Sequence, residues 1–208
     1  MSADPQDFYT RRVPAQWNRI LEAQHAAAAG GDETASRVLS GMRAVDATIR
    51  VRVRGAQPGE FHLNVSEGRM SAGDSAAQPP FLTLVHDLEA FAALERESGD
   101  SVLGFLGGLA GLTESMKLTA ARMKNLAGMA GTLRFALTGD GGFELLVHFG
   151  AGPVADEAQC SLEIAREAYA KLKSGELNPQ EAFMNQQISV KGDMQMAMQL
   201  ALAAMTPD

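Results

Sequence analysis

Histidines, a cysteine and neighbouring acids are the residues here that could do chemistry, and the chain keeps them apart. His25, His62, His86 and His148 are scattered, with no His-Glu-x-x-His or comparable metal-holding spacing. His62 and His148 fall at outward positions of alternating segments and read as surface histidines. His86-Asp87 is an adjacent acid–base pair that reads as the start of a helix. Cys160, the single cysteine, excludes an internal disulfide framework and a cysteine-rich metal site. It reads as a small buried residue. Gly104, Gly107, Gly108 and Gly111 form a glycine-rich run, but no Lys-Ser or Lys-Thr follows it and no clear strand precedes it. It is therefore not a phosphate loop, and reads as close helix packing or a flexible stretch. No catalytic, metal or cofactor constellation is expected, and the chain reads as something other than an enzyme.

The elements that carry these residues must come from 208 residues, 46% hydrophobic and 21% charged, enough apolar material for a core. The net charge of -7 leaves no basic footprint for nucleic acid or an anionic membrane surface. Eleven Met against one Trp and two Tyr suggest an adaptable apolar interior rather than a polar active site. The acidic, polar start is unlike a signal peptide, and no apolar run reaches the ~18 residues of a membrane span. A cytoplasmic location is the expectation.

The chain opens helically. Asp4-Pro5 resembles an N-cap with proline at the first helical position, and Pro14 is expected to end one short helix and begin another. Gly30-Gly31 stops that one, and Asp32 caps a further helix through Val38 and Met42. The pattern then changes to period two. Ile49, Val51 and Val53 face in, while Arg50, Arg52 and Arg54 read as a solvated strand face. Phe61, Leu63 and Val65 alternate next, residues 68–73 give a short third strand, residues 81–85 a further one, and residues 88–94 a helix.

This succession recurs about 80 residues later. Residues 49–55 resemble residues 133–139, each a strand ending at a glycine. Residues 61–65 resemble residues 143–147. A further strand follows in each, then a helix carrying an aromatic, Phe91 or Tyr169. Each helix ends near Ser-Gly, and each half closes on a Met-rich stretch, residues 116–129 and 184–205. Three segments are therefore expected: a helical lead-in at 1–46, a degenerate unit at 47–130, and a better-defined unit at 131–208.

The second unit is explicit. Gly175 ends its helix, and Asn178-Pro179 with Glu181 starts another as N-cap, N1 and N3. Phe183 and Met184 are expected to point toward the core. A short strand at Ile188-Ser189-Val190, a turn and an Asp193 cap lead into a helix from Met194 to Met205. Up to its end the polar residues of that helix are Gln195 and Gln199 alone. A helix this apolar is expected to be buried on more than one side.

Residues 174–184 (Ser-Gly-Glu-Leu-Asn-Pro-Gln-Glu-Ala-Phe-Met), with 188–194 (Ile-Ser-Val-Lys-Gly-Asp-Met) and Met198-Gln199-Leu200, resemble the signature of the sterol carrier protein type-two domain. The strands upstream are in that family's order, and the resemblance spans about residues 131–205. The first unit resembles the domain only in outline. What the resemblance implies is an α+β fold: a five-stranded, mostly antiparallel sheet with helices on one face, enclosing an apolar tunnel for sterols, fatty acyl chains or other lipids. The lining it suggests is Phe135, Leu145, Val147, Phe183, Met184, Met194, Met198 and Leu202. The function implied is lipid binding or transfer, with transient contact to membranes. The alternative is a ligand-free structural or accessory subunit of a lipid- or quinone-metabolising complex. No cofactor and no nucleic-acid partner are expected, and the oligomeric state is left open.

Overall fold

The computed structural model describes residues 4–56, 58–104 and 117–205. Most of the glycine-rich run, with Phe105 and Met116, lies outside the described residues. Asp4 caps the first helix, its carboxylate accepting from the Gln6 N–H at 2.9 Å, and Pro5 opens α1 (Pro5–Asp7). Pro14 does not divide the segment. Residues Phe8–Arg12 form a π-helical turn, closed by the Val13 N–H donating to the Phe8 carbonyl, and α2 (Val13–Ala29) continues from it. A proline ring inside an α-helix presses on the carbonyl four residues back. Widening the preceding turn removes that clash without breaking the helix. Gly30 ends α2, and Asp32 caps α3 (Glu33–Arg43) by accepting from the Ala35 N–H at 2.9 Å.

The strands are β1 (Ala47–Arg54), β2 (Gly59–Ser66), β3 (Arg69–Gly73), β4 (Leu82–Asp87), β5 (Gly131–Thr138), β6 (Phe143–Phe149), β7 (Cys160–Ala165) and β8 (Ile188–Gly192). The helices between and after them are α4 (Leu88–Ser98), α5 (Ala120–Ala127), α6 (Arg166–Ser174), α7 (Pro179–Met184) and α8 (Met194–Met205). Among the described residues, all eight strands join one open sheet in the order β3-β2-β1-β4-β6-β5-β7-β8. The fold is α+β and the sheet is mostly antiparallel, the parallel pairs being β1 with β4 and β5 with β7.

The two halves of the sheet pair their strands alike. In each, the first strand is antiparallel to the second and parallel to the strand that precedes the next helix. They meet where β4 runs antiparallel to β6. The expected five-stranded sheet is therefore not a separate body. Strands β6, β5, β7 and β8 become five by borrowing β4, and β3, β2, β1 and β4 become five by borrowing β6. A sheet edge exposes unpaired backbone groups, and this junction removes two such edges.

Alternation sends one set of residues inward. Ile49, Val51, Leu63, Leu84, Phe135, Val147 and Ile164 are fully buried, in one core with Phe8, Tyr9, Phe91 and Tyr169 from the helices. Each large side chain so buried is worth about 1.5–3 kcal/mol. A satellite cluster of Leu21, Val38 and Met42 joins α2 to α3. The β3 edge is closed by Asn18: its side-chain amide donates to the Met70 carbonyl and its oxygen accepts from the Met70 N–H, both at 2.9 Å. At the opposite edge lies β8.

Candidate functional site

The segment after α6 is built from local signals. Gly175 takes a left-handed conformation (φ 76°) and closes α6. Asn178 accepts from the Gln180 N–H at 2.8 Å and starts α7, with Pro179 behind it. Leu177 and Ala182 are the anchors of this turn in the core. β8 then pairs with β7, and its Ile188 and Val190 pack half-buried against the core. Gly192 has φ 86°, and a Cβ there would stand 2.2 Å from the Gln159 carbonyl oxygen, so only glycine fits the corner. Asp193 accepts from the Gln195 and Met196 N–H groups at 2.9 and 3.1 Å and fixes the start of α8.

α8 is buried on one side only. Met196, Leu200 and Ala203, spaced four and three apart, enter the core. Met194, Met198 and Leu202 form the opposite stripe and are 44%, 61% and 63% exposed. Phe183 and Met184 on α7 also face out, at 47% and 74%, because Ala182 is the residue that α7 turns inward. These five are the exposed large apolar side chains among the described residues, and both helices contact β8.

The eight residues expected to line one tunnel therefore separate. Phe135, Leu145 and Val147 lie under the helices in a closed core, at 0–2% exposure. Phe135 meets Phe143 and Tyr169, with ring centroids 5.7 and 6.4 Å apart. The other five form the outer surface of α7 and α8. The expectation that Phe183 and Met184 point inward, and that α8 is buried on more than one side, is corrected on this point. Composition showed that α8 was apolar all round. The exposed Met194, Met198 and Leu202 repeat at the same helical spacing as the buried Met196, Leu200 and Ala203, so spacing does not tell which face packs.

One further helix bears on α8. Helix α5 packs along it, and the buried Arg122 on α5 donates to the Ala203 carbonyl at 3.3 Å and to the Lys117 carbonyl. A guanidinium in the last turns of a helix also offsets the negative end of its dipole. On the core side of α6, the Tyr169 hydroxyl is buried and has no hydrogen-bond partner among the described residues. Burial, with the Glu97 charge behind it, pushes its ionisation upward.

The other groups singled out in the sequence have structural placements. Cys160 is fully buried, and burial raises its thiol pKa. Asp87 caps α4, accepting from the Ala90 N–H at 2.7 Å. His86 is buried; its Nε2 lies 2.7 Å from the Tyr9 hydroxyl and its Nδ1 2.9 Å from the Asp87 carbonyl. His148 is not a surface residue. It is 6% exposed, because the loop after β6 folds back over the outer face of the sheet, with the Ala155 N–H donating to Thr132 beside it. His62 does face outward, but its side chain is only 14% exposed beside Glu60. Among the described residues, no group of three or more His, Cys, Asp or Glu is placed to hold a metal. None of their helices is long and apolar enough to cross a membrane.

Residues 112–204 match the SCP-2 sterol transfer family. The match takes in α5, strands β5 to β8 and all five exposed apolar residues, and it supports a lipid-binding or transfer role. The chain is also similar to the solution structure of the sterol carrier protein domain 2 of Helicoverpa armigera, at 17% identity, covering 98% of this chain and 94% of that one, with a TM-score of 0.20. No curated protein matches it.

Proposed function

We propose that the chain is a carrier for an apolar lipid, of the fatty acyl or sterol class, which it holds at α8. The observation that carries this is the gathering of Phe183, Met184, Met194, Met198 and Leu202 on two helices beside β8. Exposed apolar patches mark binding surfaces. Unbranched Met side chains re-pack around ligands of different shape. Each methylene buried there contributes about 0.8 kcal/mol, so affinity needs no polar motif. Phe135, Leu145 and Val147 then form the floor that a ligand reaches only when α8 shifts. The reading is of a carrier and not of a catalyst. Its cytoplasmic placement rests on the sequence, as does transient contact with a membrane during transfer.

We also read residues 47–130 and 131–208 as two copies of one unit behind a helical lead-in at 1–46. The matching strand pairings support this. One observation favours the second reading, a ligand-free accessory subunit of a lipid- or quinone-metabolising complex: the layer between sheet and helices is packed shut over Phe135, Leu145 and Val147. Titration with a fluorescent fatty acid separates the two. A carrier takes it up saturably and releases it to a competing sterol or fatty acid; an accessory subunit shows no saturable uptake.

A further inference from the structure

The two edges of the sheet are finished differently. At β3 the Asn18 amide bonds both the N–H and the C=O of Met70, and α2 lies along that strand. At β8, among the described residues, no strand or side chain does the same. Bonded and unbonded pairs alternate along an antiparallel ladder. The Asp193 N–H, just past the last pair of β8 with β7, donates to the Gln159 carbonyl at 2.8 Å and sets the phase. Lys191 and Ser189 therefore bond to β7, and the N–H and C=O groups of Ile188 and Val190 point off the edge. Counting across the sheet from the Gly150 N–H, which donates to the Phe81 carbonyl at 2.8 Å, gives the same phase. Backbone groups presented in this way are a template for another strand.

The side chains of β8 leave that template open. The usual guards of an edge are proline, a bulge or a charge pointing inward. β8 has no proline, and its inward residues, Ile188 and Val190, are half-buried against the core. Its one charge, Lys191, stands on the outer face, 3.0 Å from Glu163 of β7. The strand is also complementary to itself. Paired antiparallel about Val190, it sets Val190 opposite Val190 of a second copy, Ile188 opposite Gly192, and Ser189 opposite Lys191. No like charges stand opposite one another. The two-fold axis of such a pair is perpendicular to the sheet, so α7 and α8 of both copies gather on one face, beside the joined strands. Taking ~200 Å² for a fully exposed large side chain, the five exposed apolar residues of these helices leave about 500 Å² of each copy uncovered. With the strands themselves, that approaches the ~800 Å² per partner of a stable interface.

We infer that the chain forms a two-fold homodimer through β8, the two strands running antiparallel about Val190 and extending one sheet across both copies. The occupant of the open edge is a second copy of this chain. The inference rests on the edge strand and is independent of the lipid reading.

Sedimentation of the full chain from about 1 to 100 μM tests it. A concentration-dependent approach to twice the mass of one chain is expected. Val190→Pro removes the outward N–H at the centre of the contact and none of the bonds to β7. Ser189→Lys sets a cation opposite Lys191 of the second copy, while Glu163 accommodates it within its own. Each change occurs twice across the axis, and each weakens the dimer by about tenfold or more. Val190→Cys brings two thiols together on Cα atoms ~5.5 Å apart, within disulfide reach, so mild oxidation cross-links the dimer. If Val190→Pro fails to fold, Ser189→Lys and the cross-link decide. A monomer at every concentration, a dimer unmoved by both variants in folded protein, or a dimer that Val190→Cys does not cross-link overturns the inference. A monomer that takes up lipid overturns this inference alone; a dimer weakened by these variants that takes up none supports it while the carrier reading falls.

Discussion

The double substitution Met184→Gln with Met198→Gln probes the exposed surface while sparing the fold. Glutamine is close to methionine in length and is a good helix former, so α7 and α8 persist. The two methionines are 74% and 61% exposed, so neither contributes much to the folded core. Full burial of a Met side chain is worth about 1.5–3 kcal/mol. Scaling by the exposed fractions and adding the two gives about 2–4 kcal/mol of binding energy available only when ligand covers them. Ligands seldom cover such surfaces completely, so the lower figure is the working one. It corresponds to a loss of affinity of about thirtyfold. The unfolding free energy should move by less than about 0.5 kcal/mol, as for other surface changes. Fluorescent fatty acid titration and urea denaturation of the same preparations measure both. Unchanged affinity in a folded double variant refutes the reasoning, because lipid would then be bound without touching these residues. Loss of several kcal/mol of stability refutes it too, by showing that the methionines pack against the protein.

Three further outcomes follow from the geometry. Phe135→Ala empties a fully buried position between Phe143 and Tyr169 and should lower the unfolding free energy by about 3–5 kcal/mol in urea denaturation. Asp193→Ala removes the acceptor for two N–H groups at the start of α8 and should cost about 1 kcal/mol, with faster amide exchange confined to the first turns of that helix. His86 and His148 are both held below their ordinary value of 6.5, chiefly by burial. The unfolded chain therefore binds more protons than the native one below about pH 6.5. Stability is full above that pH and declines as the pH falls toward the native pKa values, by at most about 1.4 kcal/mol per unit for each histidine. Denaturation midpoints measured from pH 8 to 5 check this, and His86→Gln with His148→Gln should flatten the slope.

Local signals were the legible part of this fold. The Asp4, Asp32, Asn178 and Asp193 caps, and the alternation in β1, β2, β5 and β6, depend on neighbours within a few residues, and the structure places them as the sequence indicates. Pro14 was misleading because a π turn relieves its clash, and nothing in the residue pattern announces one. His148 was misleading because alternation says which face a residue takes but not whether a loop covers that face. The merging of both halves into one sheet was not legible either. It depends on β4 meeting β6, a pairing across more than sixty positions that no local pattern encodes. For the candidate site, the sequence shows that α7 and α8 carry large apolar residues but not which way those residues face. An all-apolar helix gives no contrast from which to tell its packed side from its open one, and a short helix turns on a single inward residue, here Ala182.

Mass spectrometry of lipids extracted from the purified protein addresses the carrier assignment most directly. An apolar lipid present at a fixed ratio to protein, and lost from the Met184→Gln, Met198→Gln variant, is the expected result. Protein that is reproducibly empty and takes up no added fatty acid or sterol would contradict it, and would leave the surface of α7 and α8 to a protein partner.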